Sequence, residues 1–541
     1  MRDPDNARLA ERLEAFGSLL ELSGANFYTA RAYRRAADLI RSLPTPVVDL
    51  VHSGRVRELR GIGPSIEARL RELVENGEIA ELKELERSGT PQLVGFGRLL
   101  GLSPKRMLEI GRALDVTSVD AFREAALAGR LREVPGIGSH TESKILASLD
   151  RPVERPTRGL LLNRSRPLVE EIAAALDGEP AGEPRRWRDA SVELAVVCAA
   201  EHPGETLARF EALPQIVAVV GREERRAVGI TVEGIPIVLV VAEPHRFGTE
   251  LVRATGSGEY VEALEPLPDS ADEAGVYRAL GIPLCPPELR ERAFRGEPPP
   301  LLELGQLRGD LHCHTTWSDG KATVYEMGEA ARMLGYEYLA ICDHTKSVGA
   351  VPGLDADDLR RQAEEIAAAN ERLAPFRVLR GAECDILSDG SLDLPGHVLA
   401  ELEWVQASVH GGQRQSREQL TKRSVEALAN PYVSALSHPT GRLINHRPPN
   451  AVDLEAVFAT ACAHGKVVEV NGLPDRLDLR DEHVRLAIEA GVPIVVSTDA
   501  HSVRGLGNMV LAVATARRGW ATAADVVNTR PLAEILALRP R

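Results

Sequence analysis

The sequence predicts a multidomain protein with an all-α N-terminal region, an α+β middle region and a C-terminal seven-stranded β/α barrel, and three observations carry that reading. Residues 1–150 place apolar side chains three and four apart, as in Leu9 to Leu22 and Tyr33 to Leu43, and hold no strand-like run. Residues 159–300 put a helical stretch before four β-branched runs: Ser191 to Cys198, Ala218 to Val220, Val228 to Val232 and Pro236 to Ala242. They read as a mostly antiparallel sheet. Residues 305–541 alternate seven short apolar runs with helical stretches such as Val324 to Leu334, Asp357 to Leu373 and Asp481 to Ala490, the βαβ rhythm of a parallel barrel.

A chain of 541 residues is too long for one domain, and its 44% hydrophobic content supplies proper cores. The net charge of -14 excludes an overall basic nucleic-acid binder, so contact with a polyanion has to come from local sites and bound cations. The N-terminus lacks the apolar core of a signal peptide and no apolar run approaches a membrane span, which predicts a cytoplasmic protein without a membrane partner. Six scattered cysteines with no C-x-x-C pair fit a reducing compartment. Nothing in the sequence fixes the oligomeric state.

Within the helical region three punctuations recur: L-R-G-I-G-P-S at Leu59 to Ser65, L-G-L-S-P-K at Leu100 to Lys105 and V-P-G-I-G-S-H at Val134 to His140. A G-I-G turn that opens a helix leaves backbone N–H groups free and lets a phosphate approach without a Cβ in the way. Gly61, Gly63, Gly136 and Gly138 are therefore the candidate DNA-backbone contacts of helix-hairpin-helix modules, read without regard to base sequence. The middle copy has Ser103 at the second glycine and reads as a spacer. The Pro- and Arg-rich segment Arg151 to Gly159 reads as a linker, and Ser165 to Leu176 as a helix with a serine cap and Pro167 in its first turn.

In the barrel region L-R-G-D-L-H-C-H-T-T-W-S-D-G, from Leu307 to Gly320, sets His312 and His314 two apart on a strand, so both rings share a face, with Asp319 in the following turn. Further runs end in His344, Glu383, His410, His438, and Asp499 with His501. The run Lys466 to Val470 ends in Asn471, which is not counted as a ligand. Barrel enzymes gather functional groups at the C-terminal ends of their strands, so side chains scattered along the chain converge on one mouth. Cys313, between two ligands, faces the other way as a small buried residue, and Asp343 likewise faces away from the site.

The set H-x-H, D-H, a lone Glu, S-V-H, S-H-P and T-D-A-H resembles the polymerase-and-histidinol-phosphatase (PHP) metal domain. The resemblance implies three divalent ions, of manganese, zinc or iron to judge from the mixed imidazole and carboxylate donors. It gives one ion to His312, His314, Glu383 and Asp499, a second to Glu383, His410 and His438, and a third to Asp319, His344 and His501. Hydrolysis then follows by a metal-bound hydroxide supported by Glu383, Asp499 and His344, with no serine or cysteine nucleophile.

The N-terminal stretch N-F-Y-T-A-R-A-Y-R-R-A-A, Asn26 to Ala37, and the order of modules resemble bacterial family X DNA polymerases with a C-terminal PHP domain. F-G-T-E-L, T-G-S and Y-R-A-L-G-I-P-L-C-P-P-E-L-R in the middle resemble their nucleotidyltransferase palm. That family holds two magnesium ions on three palm carboxylates. Here the matching positions are Glu193, Ala195 and Val238, and the turn G-E-P-R-R, Gly182 to Arg186, has glutamate for serine. One carboxylate cannot make a bridging site, so primer extension is expected to be absent.

The expected function is metal-dependent DNA hydrolysis, as a 3′-5′ exonuclease or as an end- or abasic-site-processing enzyme of DNA repair. Two alternatives compete. A histidinol-phosphatase-like small-molecule phosphatase leaves the N-terminal hairpins without a use. A non-catalytic DNA-binding scaffold leaves the complete ligand set without one.

Overall fold

A computed structural model describes residues 6–22, 27–43, 46–59, 61–82, 104–116, 119–138, 141–143, 145–146, 159–349 and 351–538. The helices Asn6–Leu22 and Phe27–Ser42 pack through Leu9, Leu13 and Phe16 against Tyr33, Ala37 and Ile40, with an edge-on Phe16–Tyr33 contact at 5.0 Å. Two glycine turns then repeat one another. The 3-10 turns Val56–Glu58 and Arg130–Glu133 each lead into a bend closed by Ile62 N–H on Leu59 C=O (3.1 Å) or Ile137 N–H on Val134 C=O (3.0 Å). Ile62 and Ile137 point into the core. Most of the middle copy, Leu100 to Lys105, and of the linker, Arg151 to Gly159, lies outside the described residues.

In the middle region β2 (Glu179–Ala181), β4 (Leu194–Ala199), β5 (Ile216–Arg222), β6 (Arg226–Thr231) and β7 (Pro236–Ala242) form a sheet of order β2-β4-β7-β6-β5. Only β4 and β7 run parallel. The run Ser191 to Cys198 is split, because β3 (Ala190–Ser191) pairs separately with β1 (Leu160–Leu161). The first helix begins at Leu162 and not at Ser165: it runs Leu162–Ala175 and has no side-chain cap. Leu162 is fully buried, so the chain turns into the helix directly from β1; Ser165 lies inside and its hydroxyl meets that of Ser191 at 3.2 Å.

The C-terminal sheet has seven parallel strands in sequence order: β8 (Gly309–Cys313), β9 (Tyr338–Ile341), β10 (Arg377–Asp385), β11 (Trp404–Ser408), β12 (Ala435–Leu436), β13 (Val467–Asn471) and β14 (Ile494–Ser497). It nearly closes, since Asp499 N–H donates to His312 C=O and His314 N–H to Ala500 C=O, both at 2.9 Å. Every strand is covered by helices outside and neighbours inside, which is why the runs are apolar throughout rather than alternating. Leu311, Ala340, Leu379, Trp404, Val467 and Val495 fill the floor of the barrel; Glu383 follows four positions later on β10, and Gln406, Glu469 and Ser497 two positions later on β11, β13 and β14. No helix among the described residues is long and apolar enough to cross a membrane.

Candidate metal centre

All nine sequence-predicted ligands converge at the C-terminal end of the barrel. Glu383, at the end of β10, lies at the middle: its Oε2 is 2.9 Å from His344 Nδ1, 3.6 Å from His312 Nε2 and 3.7 Å from His314 Nε2. Its Oε1 is 2.9 Å from His438 Nε2 and 3.3 Å from His410 Nε2. Asp499 Oδ1 is 3.0 Å from His314 Nε2 and 3.8 Å from His312 Nε2. Asp319 faces His501 Nε2 at 3.3 Å and His344 Nε2 at 3.7 Å.

Among the described residues, three groups of donor atoms are close enough to share an ion: His312, His314 and Asp499; His314, Asp319, His344 and His501; His344, Glu383 and His410. The expected partition is thereby modified. His314 and His344 each belong to two groups, Glu383 to one and His438 to none; the two ring nitrogens of His344 face Glu383 and Asp319.

The atoms themselves test whether metal ions fit. His314 Nδ1, His344 Nδ1, Glu383 Oε2 and Asp499 Oδ1 are buried without a hydrogen-bond partner, although His344 and Glu383 approach to 2.9 Å. Buried polar atoms left unpaired are costly and rare, and lone pairs aimed at a common point are what a cation satisfies. Imidazole with carboxylate suits a transition metal. Two of the expected ligands also sit in the left-handed backbone region, His438 at φ 24° and Asp499 at φ 52°, strain of a kind that collects at functional sites.

Electrostatics agree. Burial pushes the carboxyls of Glu383 and Asp499 up, but the surrounding imidazoles, His410, His344 and His312 for the first and His312 and His314 for the second, hold both well below the carboxylate range. His410 is raised to about 10 against its burial by Glu383 and Asp385. His501 is raised to about 9, also against burial, by Asp319 and Asp499. Burial and the neighbouring His344 and His501 lower His314 to about 4. The carboxylates thus collect positive charge, from protons or from metal.

Residues behind the ligands were only partly legible. Glu469, missed in the sequence, is fully buried on β13; its Oε1 meets His312 Nδ1 at 2.6 Å, and its Oε2 accepts from His438 N–H (2.7 Å) and the Ser437 hydroxyl (2.9 Å). It fixes which nitrogen of His312 faces the centre. The signal was there, a lone acid inside the apolar run V-V-E-V-N. Asn471, set aside as a ligand, donates to Asp499 Oδ2 at 3.0 Å. Asp385 lies 3.2 Å from His410 Nδ1. Asp343 faces away from His344 as expected, and instead binds Thr315 and Ser318, fixing the turn that carries Asp319. Cys313 is buried in the shell between strands and helices, where burial pushes its thiol well up.

In the glycine turns Gly61 (φ 103°) and Gly136 (φ 80°) need the left-handed region, whereas a Cβ at Gly63 or Gly138 meets nothing within 4 Å. Gly63 caps the helix Pro64–Asn76 without a side-chain bond, which leaves that helix end open to an anion.

In the middle region Ala195 and Val238 are direct partners across β4 and β7. Glu193 lines a cavity of about 240 Å³ with Glu183, Arg186 and Glu291. Arg185 is bound to Glu273 at 2.7 Å and Arg186 to Glu291 at 2.9 Å.

Comparison with known proteins agrees with this geometry. A helix-hairpin-helix domain model matches residues 4–79 and a PHP domain model residues 310–470. The chain is 33% identical over 576 residues, covering 100% of both chains, to the DNA polymerase/3′-5′ exonuclease PolX of Bacillus subtilis. It is 32% identical over 201 residues, 36% of this chain and 78% of the relative, to a probable phosphatase of Acetivibrio thermocellus. A probable phosphatase of Photobacterium profundum is 30% identical over 215 residues, 37% of this chain and 80% of the relative.

Proposed function

The chain belongs to the PolX family, the family X DNA polymerases that carry a PHP domain, and from that premise we propose that it hydrolyses DNA phosphodiesters at the barrel and does not extend primers. The observation that carries the proposal is the convergence of six imidazoles and three carboxylates at one end of the barrel, with four of their donor atoms buried and unpaired. The reading takes His312, His314, Asp319, His344, Glu383, His410, His438, Asp499 and His501 as the ligands of three divalent ions. Such ions activate water near neutral pH and neutralise charge on phosphate oxygens.

The chain's own residues do the rest. Glu383 presents one oxygen to His344 and the other to His438 and His410, and so sets the spacing of these three rings. Glu469 and Asp385 orient His312 and His410 from behind. The floor of Leu379, Trp404 and Val495 keeps water out from below. The phosphatase relatives align with the barrel alone, whereas the helix-hairpin-helix domain gives the DNA reading its grip. Gly61, Gly63, Gly136 and Gly138 are its proposed backbone contacts, and removal of 3′ nucleotides or damaged ends in repair is the proposed task.

The loss of polymerase activity rests on Ala195 and Val238, which offer no oxygen donor where two-metal transfer needs carboxylates. The nearby acids are committed elsewhere, Asp189 to Arg442 at 2.7 Å and Glu233 to Arg164. The test is a labelled 3′-recessed duplex with manganese, with and without dNTPs, beside a phosphomonoester control. Shortening without extension is expected, and its loss in His312→Ala/His314→Ala. Extension that survives those substitutions and vanishes in Glu193→Ala overturns the reading.

A further inference from the structure

We propose that Arg476 binds the substrate phosphate at the barrel mouth and that the middle region of the chain holds it in position. The inference rests on the hydrolase reading above and adds a residue and a role to it. Asp319, Glu383 and Asp499 face the mouth among the imidazoles, with Glu469 behind. A phosphodiester approaching those carboxylates needs protein cations as well as metal ions.

Four arginines lie on the loops that follow β12 and β13, and of these Arg480 pairs with Glu482. Arg442 is occupied: one nitrogen pairs with Asp189 at 2.7 Å and another donates to Leu477 C=O. Arg447 is occupied too, donating twice to Gly441 C=O. Arg476 differs. Among the described residues its guanidinium makes no side-chain hydrogen bond, and its ion pair, Nε to Asp499 Oδ2, is 3.9 Å long with the side chain 18% exposed. Asp499 Oδ2 already accepts from Asn471 at 3.0 Å. A guanidinium beside a metal-ligating carboxylate, with its five donors unspent, is suited to a bidentate grip on phosphate.

The loop that presents it is held from both sides. Within the barrel, Asp478 accepts from Thr440 N–H (3.0 Å) and hydroxyl (2.9 Å), and Ile444 N–H donates to Asp475 C=O at 2.7 Å. From the middle region, Leu162 and Trp187 pack on Leu477. Leu477, next to Arg476, is fully buried with φ 44°, and Trp187 has φ 58°. Non-glycine residues persist in that region only where their surroundings over-determine them. Here the surroundings are each other, with Asn445 Nδ2 on Gly159 C=O as a further tie. A region lacking the polymerase carboxylates thereby keeps a use, as the wall that fixes the aim of Arg476.

The experiment uses the full chain loaded with manganese and reads three quantities: metal content, affinity for inorganic phosphate by calorimetry, and kcat/KM on bis(p-nitrophenyl) phosphate. Arg476→Ala is expected to keep its metal and to weaken phosphate affinity and kcat/KM about tenfold, as for loss of a charge-assisted bond, with partial recovery in Arg476→Lys. Leu162→Ala is expected to act in the same direction, less strongly, and to add nothing when Arg476 is already alanine. Should Leu162→Ala fail to fold, Asp189→Asn, which cuts the tie to Arg442 across the same junction, takes its place. Unchanged phosphate affinity in Arg476→Ala, or loss of metal from it, overturns the assignment; an additive effect of Leu162→Ala overturns the role of the middle region. Phosphate binding is read without turnover, so a wild-type protein that cleaves no diester fails the hydrolase reading and leaves this inference to be judged on affinity.

Discussion

Glu383 is the side chain on which most of the centre depends, because its two oxygens face different histidines: His344 and His312 on one side, His438 and His410 on the other. Glu383→Ala is expected to lower manganese content by more than one ion and to bring hydrolysis of DNA and of small diesters below detection, read by elemental analysis and steady-state kinetics. Full activity in metal-restored protein counts against its bridging place. Glu469 acts at one remove. Glu469→Gln keeps the shape but weakens the hold on His312 Nδ1, so metal affinity or kcat/KM should fall about 10–100-fold, the usual cost of losing a partner behind a ligand. Unaltered metal titration curves contradict that role.

At the scale of elements, the two glycine turns place the same groups in the same order: a buried isoleucine inside, a left-handed glycine before it and an open glycine after. Only the open glycine can be replaced without strain, since Gly61 and Gly136 require positive φ. Replacing both Gly63 and Gly138 by leucine is therefore expected to leave the thermal midpoint nearly unchanged while weakening duplex binding equally for all sequences. The slope of log affinity against log salt should flatten by about one phosphate contact per turn lost. Retention of both affinity and slope contradicts a phosphate-binding role for the turns. Cleavage of a small diester by the same variant should be undiminished.

Across the whole molecule, the middle region and the barrel are joined by buried charge. Arg518, on the last long barrel helix, donates to Arg186 C=O at 2.7 Å and pairs with Glu291 at 2.9 Å and with Asp481. Removing one partner strands the others, so Arg518→Met should cost about 3–5 kcal/mol, measured by urea unfolding at neutral pH. Burial raises the carboxyls of Glu291 and Asp481, yet Arg518, joined at Glu291 by Arg186 and Arg188, brings both below their usual values. A depressed carboxyl contributes its stability fully above the unfolded pKa of about 4 and loses it as pH falls through the folded value. Wild-type protein should lose stability below about pH 4 more steeply than Arg518→Met, and equal slopes in the two proteins tell against the network.

The sequence by itself determined the seven strands to within a few residues and the nine side chains that meet at the mouth of the barrel, because each is a local pattern: a strand's apolar run and a residue type at its end. It also placed the first helix of the middle region three residues late, since nothing local shows that Leu160 and Leu161 pair with Ser191 and Ala190. Only the tertiary structure decided how the ligands group, with His344 between two sets, because grouping depends on barrel curvature and on which ring nitrogen faces which strand. Glu469 and Arg476 were likewise decided there. Both lie in segments without a spacing signature, and they gain meaning only when closure of the barrel sets Glu469 against His312 and packing by Leu162 and Trp187 sets Arg476 beside Asp499.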